Sequence, residues 1–179
     1  MDSSKYVYVQ HPFLYSFQDA PENNSYSLLI YLAGCEHSCY NCHNSQLQEI
    51  PSKEEGLIFI HANTLIKHIE LAYAQESMID SIILSGGDPL FENNFYFTNK
   101  FCSEYGKKYK IIVYTGYDIE YVKKKELKGF QYIKCGKYVE GLKEESYKND
   151  YEMQLASRNQ EWYDAYYKQI SQNGLLKFY

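Results

Sequence analysis

Leu28-Leu29-Ile30-Tyr31-Leu32-Ala33 is a continuous apolar run that stops at Gly34, and Cys35-Glu36-His37-Ser38-Cys39-Tyr40-Asn41-Cys42-His43-Asn44 follows without a gap. An unbroken run of this length predicts a strand buried on both faces, as in parallel sheets covered by helices. A cysteine-rich loop at the end of such a strand is therefore held on rigid framework.

The same pattern repeats outward. Leu65, Ile66, Ile69, Ala72 and Tyr73 recur at helical period, with Asn63 as the expected N-cap. Ile82-Ile83-Leu84 reads as a strand and runs into the turn Ser85-Gly86-Gly87-Asp88-Pro89. A helix around 94–105 puts Phe101, Cys102 and Tyr105 on one side. Ile111-Ile112-Val113-Tyr114 is a further strand, ending in Thr115-Gly116. Asp118 is placed to cap a short helix through Ile119, Val122 and Leu127. A last strand, Gln131-Tyr132-Ile133, leads into Lys134-Cys135-Gly136. Strands alternating with helices predict an α/β fold with a parallel sheet and right-handed crossovers. Ligands gather at the carboxyl ends of such strands, so the cysteine loop, the Gly-Gly-Asp turn and the Thr-Gly turn should share one edge.

At 179 residues the chain is expected to form one domain, with a core over about 26–140 and a polar segment, 141–179, available to a partner. A formal charge of -5 argues against a nucleic-acid binder that neutralises phosphates. No apolar run approaches a membrane span, and Met1-Asp2-Ser3-Ser4-Lys5 lacks a signal-peptide core, so the expected compartment is the cytoplasm. Five cysteines, three of them within eight residues, are not the dispersed even set of a disulfide scaffold. They read as metal ligands in a reducing compartment.

The spacing Cys35-x3-Cys39-x2-Cys42 supplies three thiolates from one loop. A 4Fe-4S cubane held by three thiolates keeps one iron open to a further ligand. The competing assignment is a non-catalytic Cys3His zinc module completed by His37 or His43, although zinc ligands usually come as two pairs and no second pair is present.

The stretch Cys35–Asn44 resembles the cluster loop of radical S-adenosylmethionine (SAM) enzymes, particularly the activases of glycyl radical enzymes. The resemblance implies a 4Fe-4S cluster on Cys35, Cys39 and Cys42, with SAM bound at the open iron and reductively cleaved to a 5′-deoxyadenosyl radical. It implies an incomplete, open (βα) barrel of parallel strands, whose wide mouth admits a loop of another protein. By the same likeness, the backbone around Asn41, Cys42 and His43 lies near the adenine. Gly86, Gly87 and Asp88 bind the amino end of SAM, so a bulky residue at Gly87 should spoil SAM binding and spare the cluster. Tyr114-Thr115-Gly116-Tyr117 resembles a stretch of the activating enzymes of anaerobic (class III) ribonucleotide reductase, which places Tyr114, Thr115 and Gly116 toward the ribose or sulfonium. Gly136-Lys137-Tyr138 and Ser157-Arg158-Asn159-Gln160 resemble later signatures of the same subgroup. Two departures stand out: Cys135 occupies a position where many relatives carry Asp, and the spacer from Tyr138 to Leu155 is longer.

The expected activity is generation of a glycyl radical on the large subunit of anaerobic ribonucleotide reductase, with an electron donor such as reduced flavodoxin. The alternative is a small radical SAM enzyme acting on a small molecule, similar to 7-carboxy-7-deazaguanine synthase. Cys102 is expected to be a core thiol, Cys135 to end a strand at the active edge, and Lys123-Lys124-Lys125 to be a solvated helix face. Arg158, the one arginine against 17 lysines, is expected either to order the C-terminal segment or hold a carboxylate, or to form an ordinary surface ion pair.

Overall fold

The computed structural model describes residues 2, 5–50 and 56–178. The run quoted first is strand β3 (Ser27–Leu32), preceded by β1 (Tyr6–Gln10) and β2 (Leu14–Ser16). After the cysteine loop come β4 (Leu57–His61), α1 (Ala62–Gln75), β5 (Ser81–Gly86), α2 (Glu92–Tyr105), β6 (Lys110–Tyr114), α3 (Ile119–Lys124) and β7 (Tyr132–Cys135). Four short strands finish the described chain: β8 (Tyr147–Lys148), β9 (Glu152–Gln154), β10 (Glu161–Asp164) and β11 (Leu175–Lys177).

The main sheet has the order β10-β7-β6-β5-β3-β1-β4, with β2 also pairing β3. Its four middle strands, β3, β5, β6 and β7, are parallel, and the sheet stays open. Those are the strands read from the sequence. The expected open, parallel arrangement forms the middle of the sheet, and β1, β2, β4 and β10 extend it through antiparallel pairs. Among the described residues no helix is long and apolar enough to cross a membrane.

Alternation in the parallel strands feeds two cores. Leu28, Ile30, Leu32, Ile82, Leu84, Ile111, Val113 and Ile133 face the helices and pack with Leu65, Ile69, Phe97, Phe101 and Val122. Cys102 is buried in this core. Leu29, Ile83 and Ile112 face the other way, onto Trp162, Met153, Leu155 and Leu176 of the C-terminal segment. Each fully buried Leu, Ile or Phe stabilises the fold by about 1.5–3 kcal/mol.

Asp118 caps α3 as predicted, its carboxylate accepting from Tyr121 N at 2.8 Å. The cap of α1 is His61, whose Nδ1 accepts from Asn63 N at 3.2 Å, so Asn63 lies inside the helix it was expected to start.

Candidate functional site

The carboxyl ends of β3, β5, β6 and β7 open onto one cavity of about 530 Å³. Its walls include Cys35, Cys39, Cys42 and His43 from the cysteine loop, Gly86 and Gly87 after β5, and Tyr114, Thr115 and Gly116 after β6. Nine of the eleven residues singled out by sequence thus meet at one site; Asn41 and Asp88 are not among the lining residues.

Asp88 has a different place. Its carboxylate is fully buried and accepts from Leu90 N at 2.8 Å, Gly116 N at 2.8 Å, Thr115 Oγ1 at 2.9 Å and His37 Nε2 at 2.7 Å. A buried anion is tolerated when donors surround it in this way. Asp88 therefore joins the cysteine loop, its own turn and the Thr-Gly turn. One ring nitrogen of His37, read from the sequence as an alternative zinc ligand, is engaged in that knot.

The glycines serve the same packing. A Cβ on Gly87 would stand 2.4 Å from Gly34 O and 2.6 Å from Leu47 O, and one on Gly116 would strike the His37 ring at 2.3 Å. The close approach at Gly87 is thus made by the protein's own cysteine loop. That loop is further held by Gly34 N donating to Leu47 O and Cys35 N to Gln48 O, both at 2.8 Å, and by Tyr117 donating its hydroxyl to Glu36.

Burial pushes the Cys35 thiol up to about 11 and raises that of Cys39. Metal binding must displace these protons, since the thiolate is the ligand. Among the described residues no three His, Cys, Asp or Glu side chains converge as a single-ion site requires. A cubane makes another demand, one thiolate on each of three irons, and three cysteines along one cavity wall match that donor chemistry.

Several lining residues escaped the sequence reading. Across the sheet's inner face, Leu29, Ile83, Ile112 and Tyr132 lie in one register row. Two residues further along, Tyr31 pairs with Ser85 and Tyr114 with Lys134, and all four line the cavity. The sheet face changes there from core to cavity floor. Tyr114 is fixed by donating its hydroxyl to Asp19 O and by an edge contact with Trp162 at 5.3 Å; burial drives its hydroxyl pKa well up.

The C-terminal segment contributes Ser146–Lys148, Met153–Ala156 and Gln160 to the wall. The expected open side is therefore partly covered. Ser157-Arg158-Asn159-Gln160 clasps Gly136-Lys137-Tyr138: Asn159 Nδ2 donates to Lys137 O at 2.8 Å and Gln160 Nε2 to Gly136 O at 3.1 Å. Arg158 itself points away to pair with Glu144 at 2.9 Å on the surface. Cys135 faces the helix core, where burial pushes its thiol up to about 12.

The family match agrees with the donor set. Residues 25–163, well over half the chain, match a family described as "4Fe-4S single cluster domain". A search of curated proteins gives no match. Among solved structures, the crystal structure of QueE from Escherichia coli aligns at a TM-score of 0.41 and 14% identity, over 62% of this chain and 53% of that one. With the cysteine loop, both glycine turns and the strands that carry them inside the matched region, the chain belongs to the 4Fe-4S single cluster domain family.

Proposed function

We propose that this chain is a radical SAM enzyme whose 4Fe-4S cluster is held by Cys35, Cys39 and Cys42. The observation that carries the reading is the meeting of the three thiols, the Gly86-Gly87 turn and the Thr115-Gly116 turn in one cavity. Such a cluster, when bound, supplies the electron that cleaves the sulfonium of SAM. The chain's own residues shape the cavity, orient its three loops through Asp88, and limit water with Met153, Leu155 and the Tyr31–Tyr114 floor.

The finer reading is activation of anaerobic ribonucleotide reductase by formation of a glycyl radical, with a low-potential donor such as flavodoxin. It is supported by the clasp between the two later segments that resemble that subgroup, Gly136–Tyr138 and Ser157–Gln160. The test is anaerobic reconstitution, reduction, and chromatography of the SAM products. Methionine and 5′-deoxyadenosine are expected; intact SAM alongside a reduced cluster would overturn the reading. Mixing with a purified glycyl radical reductase should then give a glycyl EPR signal. SAM cleavage with a silent reductase would point instead to a small-molecule substrate.

A further inference from the structure

Lys134 is a cation in the site without an acid. Alternation along β7 sends Ile133 and Cys135 to the helix core and therefore Lys134 to the cavity floor. Some lysines pair with carboxylates, as in Lys108 with Glu70 at 2.7 Å and Lys100 with Glu104 at 2.6 Å, whereas Lys137, which also lines the cavity without an ion pair, is exposed and screened by solvent. Among the described residues no carboxylate lies within ion-pair reach of Lys134, which is only partly exposed. Its ammonium stands 5.2 Å from the centre of the Tyr114 ring, a favourable face for a cation. That ring is immobilised by the Asp19 and Trp162 contacts. Lys148, another cavity lysine, is instead used up on the carbonyls of Phe17 and Ala20.

Burial lowers the pKa of the Lys134 ammonium, and the Asp88 carboxylate and the nearby sulfurs of Cys135, Cys39 and Cys42 oppose that loss of charge. Of these sulfurs, only those of Cys39 and Cys42 would carry negative charge, as cluster ligands. Asp88 is already saturated by its four donors. Lys134 and the three cysteines line the same cavity, so its unanswered charge acts on the cysteine wall across that space.

We propose that Lys134 sets the reduction potential of the cluster, holding a fixed positive charge that favours its reduced form. This rests on ligation by Cys35, Cys39 and Cys42. In the step concerned, a low-potential one-electron donor is oxidised and the cluster is reduced, leaving the site one unit more negative. A nearby ammonium in a poorly screened cavity stabilises the more negative state, so the potential rises. Cluster potentials respond to local net charge in this sense.

The experiment is a redox titration followed by EPR on the reconstituted protein, without SAM, comparing wild type with Lys134→Gln, Lys134→Met and Lys134→Arg. Either neutral variant should make reduction on the order of tenfold less favourable, a midpoint about 59 mV more negative for one electron. Lys134→Arg should stay close to wild type. Two neutral residues of different polarity guard against one failing to fold, with iron content and circular dichroism confirming intact proteins. An unchanged midpoint in a fully loaded neutral variant would overturn the proposal. So would an unchanged midpoint accompanied by weakened SAM affinity, which would make Lys134 a ligand anchor. If wild type proved unable to cleave SAM, the functional reading would fail while the comparison of potentials still stood.

Discussion

The two faces of the parallel sheet are built by different means. The helix face is a deep core closed by two 14-residue helices, with Phe97 and Phe101 stacked at 5.7 Å and both fully buried. The opposite face is covered by the small sheet of β8, β9 and β11, strands of two or three residues, over a smaller apolar cluster, with side-chain bonds to backbone clasping the segment that leads into β10. Its largest anchor, Trp162, is fully buried with an indole N–H that has no partner among the described residues. The helix face is optimised for packing. The cavity face gives up some packing to leave room and polarity beside the cysteines.

That contrast ranks what substitutions should do. Cys39→Ala on the cavity face should abolish the iron–sulfur chromophore, because two thiolates hold a cubane poorly; full visible absorbance after anaerobic reconstitution would contradict the ligand assignment. Gly87→Val comes next. Its side chain would drive Gly34 and Leu47 apart, so cluster loading and SAM binding should fall together, measured by iron content and calorimetry. This revises the expectation that the cluster would be spared.

On the helix face, Phe101→Ala should cost about 3–5 kcal/mol in denaturant unfolding, the usual penalty for emptying a fully packed aromatic site. Trp162→Phe should cost about 1 kcal/mol, since lost volume is partly offset by removing an unpaired buried N–H. Equal losses at the two positions would show that the faces are energetically alike. Smallest of all, Arg158→Lys should change stability by less than about 1 kcal/mol, as befits an exposed pair with Glu144. A larger drop, read from the unfolding midpoint, would mean that the clasp depends on the guanidinium.

The same contrast explains what the sequence made legible. Runs such as Ile82-Ile83-Leu84 and the spacing of Leu65, Ile66 and Ile69 give strong local periods, so the middle strands and α1 to α3 could be read directly. The turns after those strands could then be gathered on one edge by the topology of parallel sheets. β1 and β4 were not assigned, although Tyr6-Val7-Tyr8-Val9-Gln10 alternates as a half-buried strand does. The C-terminal cover stayed illegible because Glu152–Gln154 and Glu161–Asp164 are too short and polar to show a period. Lys134 needed more than local pattern: its place on the cavity floor follows only when β7 is set in register with β6. Asp88 shows the limit of reading residue types, for a carboxylate in a glycine turn can face a ligand or the turn itself.

The buried Asp88 carboxylate has a consequence for motion. Because one anion serves amides and side chains from three loops, none of these loops can loosen alone without leaving that charge short of a donor. The cysteine loop and the turns after β5 and β6 should consequently open as a single cooperative unit. In hydrogen exchange, the amides of Leu90 and Gly116, remote in sequence, would keep the same clock.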